Sequence, residues 1–189
     1  GTCIVSDKPV GVFGSHRCAN IQSPTQWFCD TLVEQLLPEP AWGTNYRIAP
    51  LMTRGGDLVR ITALKDGTFV SIFNPEKTNV ILDRGEIHEF TMTTPASIGA
   101  EEKISVAQFS QSSDYDGVVD ADPFMTLIQP RKSWLKGYLV CTPPATEFPQ
   151  SYATVIADNT SDLSVITLNG ANILGLPGAM TGTIPNSGG

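Results

Sequence analysis

Two β-prone runs, 58–64 (LVRITAL) and 68–73 (TFVSIF), stand on either side of Lys65-Asp66-Gly67. Val, Ile, Thr and Phe suit a pleated, half-buried surface, and Asp-Gly supplies the positive φ angles of a tight turn. The arrangement predicts a hairpin. The same grammar recurs where 79–82 (NVIL) faces 86–90 (EIHEF) across Asp83-Arg84-Gly85, and where 163–168 (LSVITL) faces 171–174 (ANIL) across Asn169-Gly170. Further candidate strands are 3–6, 9–13, 46–51, 104–109, 124–128, 138–141 and 152–157. About a dozen short strands between turn signals predict an all-β fold, an antiparallel β-sandwich with little helix. Only 27–37 has helical spacing, through Phe28, Leu32, Leu36 and Leu37, before Pro38 and Pro40 stop it. No solenoid or propeller period is present and no linker divides the chain. Residues 1–189 therefore read as one domain, with 175–189 an extended tail rich in Gly, Pro, Thr and Ser.

Composition narrows the partners. Hydrophobic residues make up 41% and charged residues 16%, enough for a packed core under a surface of small polar side chains. Net charge is −7, and the densest basic group is only Arg131, Lys132 and Lys136. Nothing in such a chain would release counterions from a phosphate backbone, which argues against nucleic acid. No apolar stretch reaches the length of a membrane span. The chain opens on Gly1-Thr2-Cys3 without a signal peptide and reads as a processed or excised piece.

Four cysteines, Cys3, Cys18, Cys29 and Cys141, allow three disulfide pairings, or four buried thiols in a reducing compartment. Cys18 and Cys29 flank a polar, turn-prone loop, and a bridge there would stabilise the fold by about 3 kcal/mol on the chain-entropy model. The reading taken is Cys18–Cys29 with Cys3–Cys141, and with it an oxidising, extracellular compartment. The sequon at Asn159-Thr160-Ser161 is a candidate glycosylation site consistent with secretion.

Several segments in order carry a resemblance: 2–14 (TCIVSDKPVGVFG), Cys18-Ala19-Asn20, 29–38 (CDTLVEQLLP), 42–51 (WGTNYRIAPL), 53–72 (TRGGDLVRITALKDGTFVSI) and 122–130 (DPFMTLIQP). Together they resemble the N-terminal domain of the IgG-Fc-binding protein family, a module of large secreted mucin-like and adhesive proteins. The likeness runs from about residue 2 to about residue 174. It implies a secreted, β-rich binding or structural domain with a disulfide near Cys18 and Cys29 and no known catalysis. The Asp-rich stretch 114–120 departs from the family pattern, which also runs somewhat past Gly189, so the chain reads as a possible fragment.

Candidate chemistry is sparse. His16, Cys18, Cys29 and His88 could be drawn as a thiolate–imidazole pair or a zinc site, but their spacing is looser than in zinc motifs and no nucleophile elbow is present. Asp114, Asp116 and Asp120 alternate around Gly117, as oxygen ligands do in calcium loops, yet the EF-hand positions are not met. A solvated acidic loop is the simpler reading, with calcium the one cofactor considered. Ala121-Asp122-Pro123-Phe124 lacks the Gly and His that flank self-cleaving Asp-Pro bonds in neighbouring modules of such proteins. Arg54-Gly55-Gly56-Asp57 carries one glycine too many for an integrin ligand and reads as a turn into the 58–64 strand. Trp27 and Trp134 are candidate sugar-stacking platforms, whereas Trp42 reads as core. The function these features favour is a non-catalytic adhesion or structural module that engages extracellular proteins or copies of itself. A lectin-like domain, calcium-assisted through 114–122, is the alternative; a secreted hydrolase comes third.

Overall fold

The computed structural model describes residues 1–22, 28–118 and 121–185. It is all-β and antiparallel. After an exposed segment, β1 (Phe13–Ala19) and β2 (Asp30–Gln35) form a hairpin. Next come β3 (Gly43–Ile48), β4 (Asp57–Ala63), β5 (Thr68–Asn74), β6 (Glu76–Leu82), β7 (Ile87–Met92), the fifteen-residue β8 (Ala96–Ser110) and β9 (Met125–Leu127). A one-turn helix, α1 (Ser113–Asp116), lies between β8 and β9. Near the C-terminus, β10 (Thr167–Leu168) and β11 (Ala171–Asn172) form a two-residue ladder.

Strand β8 organises the main sheet. In its first half, Ser97, Ile98 and Gly99 pair with β3 on one side and β5 on the other. In its second half, Ala107, Gln108 and Phe109 pair with β4 on one side and β9 on the other. Since β6 pairs with β5 and β7 with β4, two four-stranded layers result, β6–β5–β8–β3 and β7–β4–β8–β9. The sandwich is thus one seven-stranded sheet folded over on itself, with β8 running through both layers.

The fold-over explains why two expected hairpins do not form. Strands β4 and β5 both run antiparallel to β8, from Asp57↔Ser110 to Phe73↔Ser97, so the chain continues through Lys65-Asp66-Gly67 instead of reversing. Strands β6 and β7 continue in the same way through Asp83-Arg84-Gly85. The reversal lies between β5 and β6, at the Asn74↔Glu76 pair around Pro75. The two glycine turns sit side by side at the corner. Gly67 N–H donates to Asp83 Oδ1 at 3.0 Å, and Arg84 N–H donates to Asp66 Oδ1 at 2.8 Å. Gly67 and Gly85 have φ of 66° and 75°, so the positive angles read as reversals serve as paired kinks. At Gly85 a Cβ would also lie 2.5 Å from the Gly1 nitrogen, whose ammonium donates to the Gly85 carbonyl at 3.0 Å.

The inner faces of both layers meet in one apolar cluster of Tyr46, Ile48, Val59, Ile61, Val70, Ile72, Leu82, Met92, Ile98, Ile104 and Val106 with the smaller Ala63 and Ala96. A second cluster, with Leu58, Ala107 and Phe109 from the outer face of the β4 layer, packs under Ile21 and Leu32 of the hairpin region. Strand β4 is therefore covered on both faces, which is why its run lacks a clean polar alternation. Tyr46 is buried with its hydroxyl satisfied: it donates to Ile104 O at 2.6 Å and accepts from Gly43 N–H at 3.0 Å. Burial raises its pKa.

Several local expectations are corrected. Within the helix expected at 27–37, residues 30–35 form β2 instead, because Asp30–Gln35 finds a ladder partner in β1. Segments 3–6, 138–141 and 152–157 form no strand, since none of them meets a ladder partner. The Asn169-Gly170 hairpin exists, with φ of 51° and 83°, but 163–165 lie in a 3-10 turn and shorten it to two pairs.

Candidate functional site

Cys18 and Cys29 are joined by a disulfide at the loop end of the β1–β2 hairpin, their Cα atoms 5.0 Å apart. The bridge closes the loop predicted from the sequence. It also consumes both sulfurs that a zinc site or nucleophile would need, while His16 Nδ1 accepts the Cys18 N–H at 3.2 Å. His88 lies on β7 against Phe90. The expected Cys3–Cys141 bridge is not present: both are exposed free thiols. Cys3 is held at the sheet corner, where Arg84 Nη2 approaches its sulfur at 3.6 Å, and Cys141 lies in the irregular segment beyond β9.

A cleft of about 360 Å³ separates the hairpin from the β4–β7 layer, lined chiefly by His16, Asn20, Gln22, Leu58, Arg60 and Glu89. Its charges neutralise each other. Arg60 and Glu89 face across the β4–β7 ladder and pair at 2.6 Å, and the Arg60 guanidinium lies 5.0 Å from the Phe109 ring centre. Among the described residues, the groups with shifted pKa values, Tyr46, Arg47, Arg131 and Asp158, line neither this cleft nor the next. In the last two, a mutual hydrogen bond raises Arg131 and lowers Asp158. The arrangement offers a neutral surface.

The Asp-rich stretch borders a second cleft of about 620 Å³, lined by Phe28, Ser113, Asp114, Gly117, Val118, Ala121 and Asp122. Asp114 and Asp116 sit on α1, and Gly117 caps it with φ of 70°. Asp120 lies outside the described residues. Among the described residues no three His, Cys, Asp or Glu side chains gather as a metal site. Trp27 also lies outside the described residues. Trp134 is half-buried at the end of the 3-10 turn Arg131–Ser133, and Trp42 donates its Nε1–H to Leu37 O at 2.9 Å, as a structural tryptophan does. Asn159 is exposed, with Oδ1 accepting the Asp162 N–H at 3.2 Å. Asp57 is wholly buried, accepting hydrogen bonds from Leu51 N–H and Gln108 Nε2, each at 2.8 Å. This burial removes it from any integrin-type display and makes 54–57 the turn into β4.

The two long edges of the sheet differ, a feature missed in the sequence. On the β3–β9 side the edge is covered. The Arg131–Ser133 turn lies on β3, so close that a Cβ on Gly43 would fall 2.4 Å from Pro130 Cβ. Strand β2 lies on β9, with Leu127 N–H donating to Glu34 Oε1 at 3.1 Å. On the other side, no strand among the described residues pairs with the outer edge of β6 or β7. Glu76, Lys77, Thr78, Asn79 and Ile81 of β6 are exposed, Ile81 by 67%. Among the described residues, Gly1 meets this edge at the Gly85 kink, Cys3 at Arg84, and Gln22 and Asn74 at Thr91, which leaves β6 as its longest open stretch.

No helix of the described residues is long and apolar enough to cross a membrane. No solved structure matches the chain. Among curated proteins it is similar to a human protein named IgGFc-binding protein, 28% identical over 173 residues. That match takes in 90% of this chain and only 3% of the relative's length. The family model described as IgGFc binding protein matches residues 1–188, and the chain belongs to that family.

Proposed function

We propose that the chain is a non-catalytic, extracellular protein-binding module that captures an extended segment of its partner along the open β6 edge. One observation carries this reading: a seven-residue strand with a free ladder side, in a sheet whose opposite edge is covered on both layers. Exposed edges present a row of unpaired N–H and C=O groups, and β-strand addition is a recurrent way to bind peptides. The Cys18–Cys29 bridge supports an oxidising compartment, and the family's protein-binding name supports a protein partner. The first cleft, lined by a neutralised ion pair and a bridged cysteine, favours binding over chemistry.

A proline in β6 tests this. Successive N–H groups along a strand alternate sides, so either Thr78 or Asn79 directs its N–H to the free edge. Thr78→Pro and Asn79→Pro are made, and the one that keeps the wild-type circular dichroism and melting temperature is used. Immobilised wild-type protein should retain proteins from extracellular fluid of its source, and the variant should retain at least tenfold less. Equal retention by both would place the binding surface elsewhere.

A further inference from the structure

The segment that leaves the covered edge has the makings of the strand that the open edge lacks. Residues 135–141 (LKGYLVC) have the same length as β6, are rich in strand-forming side chains, and form no ladder here. Leu135, Tyr138, Leu139 and Val140 are all exposed, Leu139 by 98%. An apolar run this exposed in a watery compartment calls for a cover.

Charge indicates which surface supplies it. From Pro123 to Thr146 the chain carries Arg131, Lys132 and Lys136 and no carboxylate, although its overall net charge is −7. Around the β6 edge stand Glu76, Asp83 and Glu86, against Lys77 and Arg84. The donor residues 135–141 carry Lys136 and no carboxylate, and the edge is mildly acidic. Laid antiparallel, the strand keeps Lys136 away from Lys77 and brings it toward the Asp83–Glu86 end.

Geometry decides between the same chain and another. The Arg131–Ser133 turn sits on β3, and 135–141 leave from that side. Strand β6 is the opposite edge of the same layer, three strand spacings away, roughly 14 Å across the sheet. Donor and acceptor therefore lie on opposite edges of one sheet. We infer that residues 135–141 of one copy add as a strand to the β6 edge of a second copy, giving a head-to-tail assembly. The inference rests on the edge-binding reading above and names its partner as this chain itself. A contact between unlike surfaces leaves one donor and one acceptor unused on the pair, so it propagates into chains unless it closes into a ring.

Two variants of the full chain separate the halves of the contact, both in a Cys3→Ser, Cys141→Ser background that excludes disulfide capture. Leu139→Lys spoils the donor and keeps the edge. The folded β6 proline variant spoils the edge and keeps the donor. By light scattering, the background protein should grow in mass with concentration, each variant alone should stay monomeric, and an equimolar mixture should form a one-to-one dimer. A synthetic 132–142 peptide with Ser at position 141 should bind the Leu139→Lys chain and not the proline variant. A monomeric background protein that also ignores the peptide would overturn the inference. If the β6 proline still reduced retention of other extracellular proteins, the edge-binding reading would stand without it. Loss of retention by neither variant would remove both.

Discussion

The folded ribbon from 43 to 128 and the segment from 134 to 185 contain similar residues and end in opposite states. In the ribbon, Val59, Ile61, Val70, Ile98 and Ile104 are wholly buried, each within a ladder that β8 completes. In the later segment, Leu139, Tyr152, Val155, Val165 and Met180 are exposed, and the two pairs of the β10–β11 turn are the only ladder among its described residues. Strand propensity is comparable in the two; the supply of partners is not. Pro143, Pro144, Pro149 and Pro177 interrupt the second segment and remove donors a ladder needs. A strand is a relation between segments, and the second region holds only one half of it.

The comparison is broken or sharpened by substitutions on both sides. Ile61→Ala opens a cavity between the layers and should destabilise the fold by about 2–5 kcal/mol in urea titration. A loss below about 1 kcal/mol would show that the layers do not pack as one core. Removing the Cys18–Cys29 bridge with paired serines should lower stability by about 3 kcal/mol, read as a shift of the urea midpoint against the oxidised protein. Tyr46→Phe leaves Gly43 N–H and Ile104 C=O without their buried partner, at a cost of about 1–3 kcal/mol. The same hydroxyl sets an alkaline limit. Its folded pKa is raised, so the unfolded chain releases the proton first, and stability falls as pH climbs above the ordinary tyrosine value of about 10. Tyr46→Phe should flatten that alkaline loss in melting curves. At the small end, Leu139→Ser should leave the monomer's urea midpoint within error, because its side chain has no core to leave. A clear drop would mean that 135–141 are already packed within one copy.

Much of the fold was legible where the signal is local. The strand runs 68–73, 79–82 and 104–109 lie on strands, as does 58–64 except for Leu64, and the Asn169-Gly170 turn formed where a tight turn was expected. The polar loop between Cys18 and Cys29 marked a bridge that the structure contains. Cys3 and Cys141 show the opposite case. Pairing by elimination ignores distance, and one thiol is tied to the Arg84 corner while the other sits in the segment beyond β9. The candidate site was less legible still. Nothing in residues 76–82 distinguishes an edge strand from an inner one except Glu76 and Lys77, and openness is a property of neighbours absent from the run itself.

The sequence by itself determined an antiparallel, all-β chain and marked the loop between Cys18 and Cys29 as one to be bridged. Alternation, β-branching and glycine turns act over a few residues, so they are written locally. Only the tertiary structure decided which strands meet, that two Asp-containing glycine turns are paired corners instead of reversals, and which edge stays open. An αL glycine satisfies its backbone equally in a hairpin tip or in a kink. The choice between them is made by the fifteen residues of β8, which give β4 and β5 a common partner and leave β6 without a second one.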